Sequence, residues 1–434
     1  MYYLLSIPML AINKFPPFPI YINLLYLSIF TISLYLIGKE LFGNIAGIFA
    51  ASIPSAIPII IQSRRTYLLD FPVNAMIALT CLFIVKSKGF SIIKYSILSG
   101  VFTALSILTK QFAALFIFPF ILANFTVNNY KIKPNLKLLG LFIVAFLILL
   151  IPYFLVNSSE IFKLFSDLQK WADVEKNPQG FTVESFRFYY DQFIYQYSLI
   201  IRLLVGISSI LLLIKKENSK KLFTLWAAIV GSYILLSMNP NKDPRYSEPF
   251  VIFIAIIIAG GISSIQNSII RRSLSSILMS YCIFSLLTLT IGWPTLNIGK
   301  YYPNPIEPSR YDWKVKQVLT DLKPEITTQA TMLIIPDHPY VNCVTYGYYA
   351  RLYKISLFTP CPQIIPTIVN FNDMLTNSNY VMIIDNVTSM KYMTPIYNYV
   401  VEGYKIFESE KLQFVQIHQY SLPEGLSLIV YKRL

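Results

Sequence analysis

A chain of 434 residues that is 55% hydrophobic and only 13% charged departs far from soluble domains, in which about a quarter of residues carry charge; much of it does not meet water. The formal net charge of +14 invites a nucleic-acid partner, but basic cytoplasmic loops of a membrane protein account for it, so no nucleic-acid role is expected. Four Cys without CxxC spacing and two His, His338 and His418, argue against a His- or Cys-based metal framework, and the sequence assigns no cofactor and is silent on a divalent metal.

In chain order, apolar runs near 21–37, 44–61, 72–85, 94–108, 112–127, 138–156, 192–213, 221–238, 248–266 and 273–293 read as about ten spans. A bilayer needs about 20 apolar residues per helix, with some tolerance for tilt. The third to fifth runs are short, and 94–127 admits other divisions. Lipid offers the backbone no partners, so these are helices, with kinks predicted at Pro54, Pro58 and Pro119. The abundance of Tyr and Phe, 31 of each, suits segments that end at membrane–water interfaces.

Basic residues orient the spans. One set of alternate loops carries Lys39, Lys86, Lys88, Lys94, Lys131, Lys133, Lys137, Lys215, Lys216, Lys220, Lys221, Arg271 and Arg272; the other short loops carry only Arg64, Arg65, Lys110, Lys242 and Arg245. The positive-inside rule makes the first set cytoplasmic, leaving 62–71, 157–191, 239–247 and everything after 294 outside. Residues 1–20 then start outside, although the N-terminus has no basic region or small-residue cleavage site of a signal peptide. The expectation is that an upstream span and the loop after it precede this start.

From 294 to 434 the pattern becomes that of a small α/β domain, distinct from the multi-span region 1–293. A helix over 311–323 leads to a strand at 331–335, a helix at 341–353 and a short strand at 355–359. A helix at 371–376 precedes the strand 380–385; a helix near 390–402 leads to strands 412–420 and 426–432, joined by the turn Pro423-Glu-Gly425. Cys343 and Cys361 could form a disulfide on this outer side, closing a loop worth about 3 kcal/mol. Alternatively Cys343 faces the buried side of its helix, with Cys361 in a turn too far away. Cys81 and Cys282 fall in spans and read as small apolar residues.

Charges near spans are informative because insertion is costly. In Gln62-Ser-Arg-Arg-Thr-Tyr-Leu-Leu-Asp70-Phe-Pro72, Arg64 and Arg65 precede Asp70 at an outer helix mouth. Such a carboxylate can accept a proton or orient a hydroxyl, and Arg forks suit phosphate oxygens; equally, Asp70 could form a structural ion pair with either Arg. Lys110 sits on the same side, as a ligand or a snorkelling interfacial Lys. Asn239-Pro-Asn-Lys242-Asp-Pro-Arg245-Tyr246-Ser-Glu-Pro249 brings further charge to an outer mouth. The loop 157–191 is acidic and aromatic, with Glu160, Asp167, Trp171, Asp173, Glu175, Glu184, Tyr189, Tyr190 and Asp191, which suits a polyhydroxylated acceptor or simply solvent.

The order and spacing of several short stretches resemble a known family. These are Tyr35-Leu-Ile-Gly-Lys-Glu-Leu-Phe-Gly43, Ala46-Gly47 with Ala50-Ala51, Pro58, Arg65 to Asp70 and Pro72, Gly100 with Leu108-Thr109-Lys110, and Lys242-Asp-Pro-Arg-Tyr246. Over roughly 20–260 the chain is similar to the polyprenyl-phosphate-dependent glycosyltransferases of the C-type membrane fold. Within them it resembles the bacterial relatives of dolichyl-phosphate-mannose–protein mannosyltransferase and lipid A aminoarabinose transferase, the family 39-like enzymes.

The resemblance implies sugar transfer, with inversion, from a polyprenyl-phosphate donor to a lipid, protein or polysaccharide acceptor at the outer face of a bacterial inner or plasma membrane. Asp70 matches the family's second conserved acidic position and is the catalytic candidate. Arg64, Arg65, Lys110, Lys242, Arg245 and Tyr246 are the substrate-binding candidates, the cations holding the donor phosphate that also leaves. The family's principal catalytic Asp lies in a first outer loop that the sequence lacks, which agrees with the expected upstream piece or with an inactive form. Two rival functions are a lipid-carrier transporter, for which the expected inverted repeat is not seen, and a non-catalytic membrane scaffold.

Overall fold

The computed structural model describes residues 21–66, 68–128, 136–163, 172, 177–291, 311–335, 338, 340–361, 368–385 and 397–434. Two compact units divide the chain, a helical one within Met1–Glu307 and a mixed one from Pro308 to Leu434. The boundary expected at 294 lies outside the described residues.

The helical unit runs α1 (Ile22–Phe42), α2 (Asn44–Ser52), α3 (Pro58–Ser63), α4 (Asp70–Lys86), α5 (Ile93–Thr109), α6 (Ala114–Asn128), α7 (Leu136–Val156), α8 (Val183–Gln196), α9 (Leu199–Ile214), α10 (Lys216–Met238), α11 (Phe250–Ser263) and α12 (Ser268–Ile291). Every apolar run expected to span recurs as helix. Five of these helices, however, are long and apolar enough to cross a membrane alone: α1, α7, α10, a stretch around α11 and α12, with a sixth span if α8 and α9 act as one bent pair. Shorter apolar helices at Asn44–Ala56, Ile93–Thr109 and Gln111–Phe125 accompany them, and the polytopic α-helical membrane architecture stands.

Local chemistry explains the breaks. Pro54 and Pro58 lack the N–H a helix needs, so the run 44–61 becomes α2, a 3-10 turn over Ile53–Ala56, and α3. Ile57, forced from the helical region by the following proline, is extended at φ −105°, ψ 115°. Lys110, at φ −159°, divides α5 from α6, while Pro119 is absorbed inside α6. The run expected at 192–213 is split. Its first residues belong to α8, and the chain then turns by 104° into α9, whose first turn is capped by the Ser198 hydroxyl.

Packing sorts the helices. Every residue of α11 from Phe250 to Ile262 is buried, making it the central element. In α1 the buried Tyr26, Phe30, Leu34 and Ile37 fall on one face, while Leu24, Leu25 and Ile32 are exposed, the pattern of a helix between core and lipid. Gly38 and Gly47 let α1 and α2 cross closely: a Cβ at Gly38 would lie 2.8 Å from the Ala46 carbonyl oxygen, and one at Gly47 would lie 2.7 Å from that of Tyr35. This is a physical reason for two of the small residues that carry the resemblance.

The second unit contains α13 (Val315–Leu322), β1 (Ala330–Ile334), α14 (Cys343–Leu352), β2 (Leu357–Phe358), α15 (Ile368–Thr376), β3 (Tyr380–Ile384), α16 (Tyr397–Glu410), β4 (Phe414–Ser421) and β5 (Ser427–Arg433). Its five-stranded sheet has the order β2-β1-β3-β5-β4. β1 is parallel to β2 and β3, and β5 is antiparallel to β3 and β4. Alternation along the strands feeds two cores. Met332, Ile334, Met382 and Ile384 pack with Leu319 of α13 and Tyr346 of α14; Leu333, Val381 and Ile383 pack with Phe371 of α15 and Phe407 of α16. The sheet is covered on both faces, as its parallel strands require. The expected α/β pattern is present element by element, although part of the helix expected at 390–402 lies outside the described residues. Cys343 and Cys361 are bridged, with Cα atoms 5.3 Å apart, which decides between the two readings of that pair. Cys81 and Cys282 are buried and free.

Candidate functional site

The site is built on the N-terminus of α4. Asp70 is its first residue and is 2% exposed, where the helix macrodipole favours a negative charge. The loop before it is pinned from α1: the Asn23 amide donates to the carbonyls of Arg64 and Thr66, both at 2.9 Å. Two cations converge on the carboxylate. Lys110 Nζ lies 2.6 Å from Oδ1, and Arg245 Nη1 lies 3.4 Å from Oδ2.

Each cation is itself held. Lys110 lies 5.0 Å from the Phe112 ring centroid and 4.9 Å from that of Tyr246, and these two rings stack at 5.0 Å, a cation–π seat. Arg245 is clamped by Asp243, whose Oδ1 and Oδ2 both accept from Nε at 3.0 Å while Oδ2 also accepts from Nη2 at 2.5 Å. A fork fixed on one edge leaves its other edge aimed at Asp70.

Asp70 and Arg245 border a cavity of about 460 Å³ that also presents Gln62, Ser63, Gln196 and Glu248. Glu248 is 1% exposed and accepts from Asn74 Nδ2 at 2.7 Å. A wider cleft of about 660 Å³ between Phe181, Phe186, Tyr190 and Tyr233 contains the exposed pair Arg187–Asp191 but neither of the buried carboxylates. The smaller cavity is the one lined by both buried carboxylates. Among the described residues no group of three or more His, Cys, Asp or Glu is arranged to hold a metal ion.

The structure thus brings Asp70, Lys110, Arg245 and Tyr246 together, and places the other candidates differently. Asp70 pairs with neither Arg64 nor Arg65, and among the described residues neither guanidinium makes an ion pair. Arg64 reaches Thr290 Oγ1 at 3.5 Å, and burial together with the neighbouring charge of Arg65 lowers its pKa. Lys242, expected to hold phosphate, does not line the cavity. Its ammonium donates to the carbonyls of Ser237 at 2.6 Å and Asn239 at 2.9 Å, satisfying the end of α10, and burial pushes its pKa down to about 8. Sequence reasoning passed over the roles of Asp243, Glu248 and Asn74. A Glu beside Pro249 at the head of an apolar run is the signal that marks Glu248; Asn74 offers only its polarity within α4. Of the acidic loop expected at 157–191, residues 164–171 and 173–176 lie outside the described residues, and its end is α8.

The family model for dolichyl-phosphate-mannose-protein mannosyltransferase matches residues 1–154, the stretch that carries Arg64, Arg65, Asp70 and Lys110. No curated protein matches the chain in sequence. The oligosaccharyltransferase of Archaeoglobus fulgidus, solved in complex with Zn and sulfate, is similar with a TM-score of 0.58 at 13% identity, over 100% of this chain and 64% of its own. ArnT from Cupriavidus metallidurans bound to undecaprenyl phosphate is similar with a TM-score of 0.55 at 12% identity, over 99% of this chain and 87% of its own.

The chain has the C-type membrane glycosyltransferase fold. The mycobacterial arabinofuranosyltransferase AftD shares it with a TM-score of 0.51 at 12% identity, over 96% of this chain and 34% of its own. At such identities the likeness is one of fold, and the chain spans 64% of the length of the Archaeoglobus enzyme. Within that fold Asp70 opens a helix that follows an apolar broken segment, and the cations reach it from the α5–α6 junction and from the turn before α11.

Proposed function

We propose that the protein transfers a sugar from a polyprenyl-phosphate donor to a hydroxyl-bearing acceptor at the outer membrane face. The observation that carries this reading is Asp70, buried at a cavity wall and bound by Lys110 and Arg245. The carboxylate contacts both cations. A donor phosphate entering the cavity competes for Lys110 and Arg245, and frees a carboxylate oxygen for the acceptor hydroxyl. That hydroxyl oxygen attacks the anomeric carbon as the carbon–oxygen bond to phosphate breaks. The bonding pair leaves on the phosphate, where the two cations stabilise it, and the hydroxyl proton passes to Asp70. Arg64 and Arg65, without ion pairs among the described residues, supply further positive charge to the donor head group.

This reading places the α/β domain, 294–434, outside the cytoplasm, as the uneven distribution of basic loop residues implies. Single Cys residues placed in 129–137 should resist a membrane-impermeant thiol reagent in intact cells, and those placed in 170–180 should react; the reverse pattern would invert the assignment. For the chemistry, Asp70→Asn should lower transfer of labelled sugar from polyprenyl phosphate in proteoliposomes by about a hundredfold, within the range usual for a lost proton acceptor, with membrane insertion unchanged. A near-normal rate would remove Asp70 from the reaction.

A further inference from the structure

Two carboxylates are buried among the described residues, Asp70 and Glu248, and they are satisfied differently. Both oxygens of Asp70 meet cations. Glu248 makes no ion pair among the described residues; its Oε2 accepts from Asn74 Nδ2, and its Oε1 has no hydrogen-bond partner. The Ser63 hydroxyl lies within hydrogen-bonding reach of Glu248 and also of the Ile60 carbonyl, at 3.3 Å. Gln196, on the same cavity, donates one amide N–H to the Pro244 carbonyl and accepts from Ser247, each at 2.6 Å, and makes no hydrogen bond to Glu248. A buried acceptor left open is unfavourable and calls for an explanation, such as a ligand that completes it.

The position selects that ligand. Glu248 lines the same cavity as Asp70 and Arg245. A carboxylate oxygen accepts hydrogen bonds and repels phosphate, so its complement is an O–H or N–H donor. The cations take the phosphate end of a donor, leaving the sugar for the carboxyl oxygen that Asn74 does not engage. We propose that Glu248, oriented by Asn74, is a specificity-determining residue that accepts a hydrogen bond from one hydroxyl of the transferred sugar. This rests on the glycosyl-transfer reading above and extends it to the sugar.

The test measures equilibrium binding by the purified full chain in lipid nanodiscs. The probes are undecaprenyl phosphate, the same lipid phosphate bearing mannose, glucose or arabinose, and single-deoxy versions of each sugar. The wild-type chain should bind at least one sugar-bearing probe more tightly than the bare lipid phosphate, and removal of one particular hydroxyl should weaken that probe by about 10- to 100-fold, as expected when a buried acceptor loses its partner. Glu248→Gln, whose oxygen engaged by Asn74 would turn an N–H donor into the cavity, should weaken the intact probe by the same factor and no longer distinguish the deoxy probe. Its affinity for bare undecaprenyl phosphate should not fall, because that probe makes no hydrogen bond to residue 248 and gains from the loss of a carboxylate facing the same cavity. Equal weakening of bare and sugar-bearing probes, or no weakening of either, overturns the assignment. The deoxy series on the wild-type chain decides the matter even if the variant does not fold. If the wild type binds the bare lipid phosphate but discriminates no sugar hydroxyl, this inference alone is overturned. If it binds no polyprenyl phosphate at all, the transfer reading falls and this inference with it.

Discussion

The helical unit and the α/β unit bury opposite things. In the α/β unit, strand alternation sends Met332, Ile334, Leu333 and Val381 into two apolar cores, while ion pairs such as Lys432–Glu325 and Lys411–Glu408 stay at the surface. In the helical unit, Leu24, Ile32 and much of α7 are exposed apolar surface, and a carboxylate–cation cluster sits inside. Charge matters most where water is excluded. A pair in water gains little because solvent screens it and ordering two long side chains opposes it. A pair withdrawn from water is costly to assemble and costlier to half-remove.

The comparison is broken most directly at Lys110. Lys110→Met leaves Asp70 buried with only the longer contact to Arg245, and should destabilise the helical unit by about 3 kcal/mol, the low end for a halved buried pair because Lys110 is 22% exposed. Asp70→Asn in the same chain should recover part of that loss. The measurement is thermal unfolding of both variants and the double variant in detergent; strict additivity would show that the two groups do not interact.

The bridge in the α/β unit tests stabilisation of another kind. Cys343 and Cys361 are 18 residues apart, and opening the loop should cost about 3 kcal/mol on the chain-entropy account. Reduction of the full-length protein, or Cys343→Ser, should make the region after residue 311 more sensitive to limited proteolysis and leave the helical fragment intact. Mass spectrometry of unreduced, alkylated protein should find neither thiol labelled, and two labelled thiols in oxidised material would refute the bridge.

The smallest effect is expected at Glu325, 28% exposed beside Lys432 and His418. Glu325→Gln should change stability by less than about 1 kcal/mol, and the change should shrink as salt is raised. A loss as large as that of Lys110→Met would erase the contrast between the two units.

Much of the fold was legible along the chain. Apolar runs marked the helices of the first unit, and alternating strand and helix signals marked the order of elements in the second, because burial period and turn chemistry are local properties, although the helix expected near 390–402 runs on to Glu410. Asp70, Lys110, Arg245 and Tyr246 were legible too, as charges or interfacial groups beside apolar runs where a bilayer tolerates few. Whether a run was long enough to cross a membrane was less so, since Pro54, Pro58, Lys110 and Ser198 cut helices that composition alone leaves continuous. Partnership was not legible at all. Arg64 and Arg65 are nearest to Asp70 in sequence, yet its oxygens meet Lys110 and Arg245, 40 and 175 residues away. Lys242 stands three residues before Arg245 but spends its ammonium on the carbonyls of Ser237 and Asn239. Sequence determined which residue types reach the ends of the helices. Only tertiary packing decided which of them meet Asp70, because the direction of a side chain depends on how α4, α5 and α11 are rotated against one another. That rotation is settled by contacts between residues far apart in the chain.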